Sequence, residues 1–227
     1  MRHLNILILS ILSIQLSVAQ INEIGGFLGG SNFIGDVGAT DYIAPNAPAL
    51  GLLYKWNRSA RHAYKVSIIY SDLKASDLKS EDPRRLERGF VFNSNLLELS
   101  AGMEFSFFDF NLHSGKTLGT PYLYSGVTAA KHGNYFFNSN RRQIALEGSS
   151  WAFGIPIGLG FKTNILGTFI LSFEVGARYT FSDNIDGSIP EGPQQQFKYG
   201  NLNNNDWYVL SGLSLTYTFG EKPCYCN

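Results

Sequence analysis

The feature that most constrains this chain is an unbroken two-residue alternation over residues 168–181. Phe169, Leu171, Phe173, Val175, Ala177, Tyr179 and Phe181 fall on one face. Thr168, Ile170, Ser172, Glu174, Gly176, Arg178 and Thr180 fall on the other. A period of two places the sets on opposite sides of a strand. One side is apolar throughout, and the other carries a carboxylate and a guanidinium.

The pattern recurs. In residues 151–162, Trp151, Phe153, Ile155, Ile157, Leu159 and Phe161 oppose Ala152, Gly154, Pro156, Gly158, Gly160 and Lys162. In residues 96–107, Leu97, Leu99, Ala101, Met103, Phe105 and Phe107 oppose Glu98, Ser100, Gly102, Glu104 and Ser106. Residues 207–219 alternate likewise, with Ser211 the one polar residue on the apolar side. Shorter versions occupy 62–71 and 50–56, and 23–30 and 121–131 alternate weakly. Most of these eight segments reach ten residues or so, against about 5–6 for a globular strand and about 9–11 for a membrane strand. The fold expected is therefore all-β: an eight-stranded antiparallel transmembrane up-and-down β-barrel with its apolar face toward lipid. A soluble sandwich is the alternative, but its strands are shorter and its outer faces more charged. The 17 Phe, 12 Tyr, 3 Trp and 24 Gly, with only 16% charged residues, agree with an all-β chain.

Connections supply a separate test. Residues 31–47, 72–92, 132–150 and 182–205 read as long loops, whereas 57–60 and 164–167 are short and 108–119 intermediate. Long and short alternate, as in barrels with short periplasmic turns and long outer loops. An even strand number then puts both termini in the periplasm. Trp56, Phe107, Tyr217 and Phe219 mark the periplasmic interface, and Trp151, Tyr179, Phe181 and Trp207 the outer one.

Residues 1–19 read as a signal peptide: basic Arg2 and His3, an apolar stretch from Leu4 to Leu16, then Ser17-Val18-Ala19 as a cleavage site. The expected division is 1–19 signal peptide, 20–219 outer-membrane barrel and 220–227 periplasmic tail. Formally the chain has zero net charge, with 18 basic and 18 acidic side chains, which argues against a nucleic-acid partner.

An eight-stranded barrel is just filled by its inward side chains. Lys55, Lys65, Glu98, Glu104, Lys162, Glu174 and Arg178 are expected inside, paired with one another because an isolated buried charge is costly. No catalytic constellation stands out. Glu98 and Glu104 invite an acid/base reading, but six residues along one strand face separate them by about 20 Å. His62, His113 and His132 show no nucleophile at a useful spacing. Asp183, Asp186 and Asp206 lack the spacing of a calcium loop, and no metal or cofactor is expected. Charged residues 79–88 read as a solvated loop, with lipopolysaccharide contact as the alternative.

The tail carries both cysteines of the chain, Cys224 and Cys226, after Pro223, which cannot extend a central strand. In an oxidising periplasm three readings stay open: a disulfide to another protein, a strained local bridge, or part of a metal site.

Several blocks carry a resemblance. Gly29-Gly30-Ser31-Asn32-Phe33-Ile34-Gly35-Asp36, residues 155–162, residues 174–183 and the ending from Asp206-Trp207-Tyr208 to Tyr217-Thr218-Phe219 are, in order, similar to PorG-type proteins of Bacteroidota. The likeness covers nearly the whole chain after the leader. It implies a non-enzymatic outer-membrane component of the type IX (Por) secretion system, which is coupled to gliding in some species. It also implies periplasmic partners, a PorK-like lipoprotein and a PorN-like ring protein, that the barrel would anchor. The alternatives are a standalone adhesin or envelope stabiliser, and a lipid-modifying barrel enzyme.

Overall fold

A computed structural model describes residues 21–112, 117–165, 168–190, 192–201 and 204–220. Eight strands follow one another in chain order and close on themselves: β1 (Ile21–Ile34), β2 (Ala47–Asn57), β3 (His62–Ser76), β4 (Val91–Ser106), β5 (Gly119–Phe137), β6 (Gln143–Ile165), β7 (Phe169–Thr180) and β8 (Trp207–Phe219). Every neighbouring pair is antiparallel, including β1 with β8. The expected all-β barrel is the observed fold. The two weakest segments of the sequence are full strands, β1 with 14 residues and β5 with 19.

The register fixes the shape. Following partners around the wall from Asn22 leads through Trp56, Tyr64, Met103, Ser125, Ile157, Ala177 and Val209 to Asn32, ten residues further along β1. That stagger over eight strands tilts them about 40° from the axis. At about 3.3 Å per residue, the 13 residues of β8 then climb roughly 30 Å, the thickness of a bilayer core.

Outward positions along that height are apolar and exposed: Ile24 and Leu28 on β1, Leu50 and Leu52 on β2, Leu97, Leu99 and Met103 on β4, Phe153 to Phe161 on β6 and Leu213 to Phe219 on β8. Such a continuous apolar girdle is unstable in water and fits a lipid-facing wall, while ring closure leaves no unpaired edge.

The two ends differ. The described parts of the connections after β2, β4 and β6, with the start of β1 and the end of β8, lie at one end (the turn end). Residues 35–46, 77–90, 138–142 and the described residues of 181–206 lie at the other (the loop end). One expected loop is absent. Residues 132–150 do not form a long irregular excursion; β5 and β6 continue through most of the span and turn at 138–142, with a register shift between Gly133 and Tyr135. His132, expected at a loop base, is an inward residue of β5, 2% exposed.

The cause is a reversal of polarity along the strands. Low on β4 the inward residues are Glu98, Ser100 and Glu104, and the outward ones Leu97, Leu99 and Met103. Above Leu96 the inward residues include Phe92, and the outward ones are Val91, Asn93 and Asn95, two of them polar. On β3, likewise, Leu73 turns inward while Lys74 is exposed. Where lipid ends, the wall becomes an ordinary water-facing sheet over an apolar core.

Candidate functional site

The membrane-level interior is a stack of ion pairs. Glu104, fully buried, lies between two ammonium groups: Lys162 Nζ donates to Oε1 at 2.6 Å, and Lys55 Nζ stands 2.8 Å from Oε2. Lys65 donates to Glu174 Oε2 at 2.6 Å, and the Tyr122 hydroxyl donates to the same oxygen at 2.8 Å. Arg178 reaches Glu98 through Nε at 3.1 Å, and the Tyr208 hydroxyl donates to Glu98 Oε2 at 2.6 Å. These seven charged residues all point inward and are buried. Sequence reasoning missed an eighth, Glu23, whose carboxylate accepts from Asn57 Nδ2 and Thr216 Oγ1, both at 2.8 Å. A signal existed: a carboxylate flanked by apolar Ile24 on a lipid-facing strand has only the interior to occupy. With Glu23 the four named carboxylates match the four cations.

Space for this network comes from glycines of β6 and β7. A methyl group at Gly160 would collide with the Tyr122 ring, and one at Gly176 with the Arg178 guanidinium. The void beside Lys55, Lys65, Glu174 and Arg178 measures 20 Å³, room for about one water.

Above the ion pairs sits an apolar cap. Phe33, Val37, Leu73, Phe92, Leu96, Tyr135, Phe137 and Ile185 are buried in a single cluster. Phe33 meets Phe92 edge-on at 5.0 Å, and Phe90 stacks on Phe137 at 4.1 Å. Residues 35–46 and the described residues of 181–206 fold over the barrel mouth and are tied by carboxylates. Asp186 accepts the backbone N–H groups of Asp36 and Ser188, at 2.9 and 3.0 Å. Asp36 accepts from Asn201 N at 3.1 Å, and Asp206 from Ile185 N at 2.8 Å. Asp77 gathers Gly38 N, Phe90 N and Arg88 Nε within 2.9 Å. The charged stretch expected to be solvated therefore includes a structural arginine, and residues Pro83–Arg88 form a short helix, α1, capped by Asp82. Burial pushes the Asp183 carboxyl up to about 7 and that of Asp186 up to about 6, with Asp36 adding repulsion to both. Asp206 is raised too, by burial and then by Asp186. Asp186 and Asp206 Oδ2 serve backbone donors, whereas Asp183 Oδ2 and Asp206 Oδ1 are buried without a hydrogen-bond partner. Among the described residues no group of three or more His, Cys, Asp or Glu is placed to hold a metal ion.

One nucleophile–base contact does form, at the turn end. Ser59 Oγ lies 3.2 Å from His62 Nδ1. The same Oγ accepts the N–H groups of Arg61 and His62, the pattern of a hydroxyl closing a tight turn. His132 is buried with Nε2 unpartnered, and burial leaves it no solvent route to a substrate. His113, Cys224, Cys226 and residues 1–19 lie outside the described residues.

The sequence profile of a family described as "Domain of unknown function (DUF6089)" matches residues 2–227. The chain belongs to the DUF6089 family. No curated protein matches it. Solved structures similar to this DUF6089 protein include Ail, the attachment invasion locus protein of Yersinia pestis, in complex with the heparin analogue sucrose octasulfate. The two are 13% identical over 88% of this chain and 99% of that one, at a TM-score of 0.49. The N-terminal β-barrel domain of Pseudomonas aeruginosa OprF is 16% identical over 89% and 100%, with a TM-score of 0.43. The outer membrane protein OprG of the same organism is 11% identical over 89% and 97%, with a TM-score of 0.43.

Proposed function

We propose that this DUF6089 barrel is a non-enzymatic outer-membrane component of the type IX protein secretion system. In that reading the loop end faces outward, the turn end faces the periplasm, and the barrel anchors a ring of PorK-like lipoprotein and PorN-like protein. The specific assignment rests on the resemblance of the four ordered sequence blocks to PorG-type proteins. The observation that supports a scaffold over a pore or enzyme is the filled interior, with ion pairs below and aromatic packing above. β8 ends at Phe219, beside the start of β1, at the end that also carries the short turns. Cys224 and Cys226, which follow β8 in the sequence, are the proposed covalent link to a periplasmic partner. No chemistry is assigned to the barrel, and no cofactor.

Non-reducing electrophoresis of outer membranes tests this reading, comparing wild type with Cys224→Ser, Cys226→Ser and the double variant. A high-mass band that collapses with reductant, vanishes in the double variant and contains a PorK-like lipoprotein is the expected result. An unchanged monomer in all four samples removes the covalent anchor.

A further inference from the structure

At the loop end, α1, the β5–β6 turn and residues 197–199 enclose an open groove of about 440 Å³. Its rim carries Arg84, Arg88, Arg141 and Lys198, against Glu87 as the one acid. Arg88 is committed to Asp77, and Arg84 touches only Asp82, at 3.5 Å with its side chain 91% exposed. Phe197 and Tyr199 are partly exposed, and Tyr199 packs edge-on against the Phe90–Phe137 stack. Arg141 and Lys198, which pair with no carboxylate among the described residues, and the exposed Arg84 lie over an aromatic wall, a combination that suits a ligand with apolar faces and negative charge.

Arg141 supplies the second observation. It is the only non-glycine residue with positive φ among those described, at 62°. The turn is closed by Arg141 N donating to Asn138 O at 2.8 Å and Asn138 N to Arg142 O at 3.0 Å. Glycine or asparagine ordinarily fills such a left-handed position, and the chain places seven glycines at positive φ elsewhere. An arginine there sits against its own backbone preference, and its guanidinium extends over the groove near Gly89.

We infer that this groove binds a negatively charged saccharide, with sugar faces on Phe197 and Tyr199 and its phosphate or carboxylate groups on Arg84, Arg141 and Lys198. The ligand has two sources of the same chemistry: the phosphorylated core of lipopolysaccharide in the same membrane, or a soluble acidic polysaccharide. The inference is independent of the cysteine tail.

The test uses the full barrel in phospholipid nanodiscs, titrated with oligogalacturonate and, as the neutral control, with maltoheptaose. Charged sugar binds and neutral sugar does not, and binding weakens with salt. Arg141→Gly, a change the turn accepts and which raises Tm, weakens binding by about tenfold or more, as does Arg84→Gln. Adding lipopolysaccharide to the nanodiscs separates the sources: competition with oligogalacturonate identifies the membrane's own glycolipid, and its absence identifies a soluble one. Equal binding by wild type and Arg141→Gly, or by the neutral sugar, overturns the proposal. The tail adduct on a non-reducing gel is unaffected by either variant, so the two proposals fail separately.

Discussion

Two halves of the same barrel solve opposite problems. At membrane height the outside is apolar and the inside holds Glu23, Lys55, Lys65, Glu98, Glu104, Lys162, Glu174 and Arg178. Beyond it the inside is Phe33, Phe92, Tyr135 and Phe137, and outward positions such as Lys74 and Asn93 are exposed. The strands are continuous across the boundary, so the solvent on the far side of the wall, not the secondary structure, decides which face is greasy. Lipid accepts no polar group, which leaves the interior to take them and neutralise them internally. Water restores the usual arrangement, and the hydrophobic effect then closes the mouth with an aromatic core.

That contrast predicts where substitutions hurt. Glu104→Gln strands two buried ammonium groups and costs about 3–5 kcal/mol, read as a lowered urea midpoint of unfolding from lipid vesicles. Replacing Lys65 by Met together with Glu174 by Leu costs less than Glu174→Leu alone, because the pair leaves no lone charge. If the single and double changes cost the same, the interior is not held by pairing.

Phe92→Ala in the cap costs about 3 kcal/mol through lost burial and cavity formation. Its effect is local. Hydrogen exchange accelerates in residues 181–206, while β8 amides at membrane height stay protected. Uniform acceleration along β8 would show that cap and wall unfold as one unit.

The smallest effect is a pH dependence confined to the cap. Asp183 and Asp186 bind protons more tightly folded than unfolded, with values near 7 and 6 against 3.8. Between those limits the folded cap holds more protons, so its stability is greatest below pH 3.8 and falls as pH rises through about 7. Protection factors in residues 181–206, corrected for intrinsic exchange, are expected to drop by roughly tenfold or more from pH 5 to pH 8. A rise over that range contradicts the assignment.

The reversal also explains what was legible in the sequence. Where lipid faces the wall, alternation is strict, and β8 was read to the residue as Trp207–Phe219. The seven interior charges could be placed because each interrupts a greasy period-two pattern. On β5 the apolar set changes face near His132, from outward Leu123 and Val127 to inward Tyr135 and Phe137, and residues 143–150 of β6 bury no apolar side chain, so one greasy face no longer marks the strands across 132–150. The register shift at Gly133/Tyr135 hides the continuation further. Glu23 is hard to place because the four glycines Gly25, Gly26, Gly29 and Gly30 dilute the alternation of β1. The loop carboxylates of Asp186 and Asp206 become neighbours of Asp36, 150 or more residues away in the chain, only through tertiary folding, and no local pattern announces them.

The central claim is that the barrel is a filled scaffold and not a conduit. Single-channel recording of the purified protein in planar bilayers tests it most directly. A closed baseline at both polarities is the result expected from a 20 Å³ interior void beneath an aromatic cap. A steady ohmic conductance that rises when Phe92 is replaced by Ala would contradict it, and would make the ion-pair stack the lining of a pore.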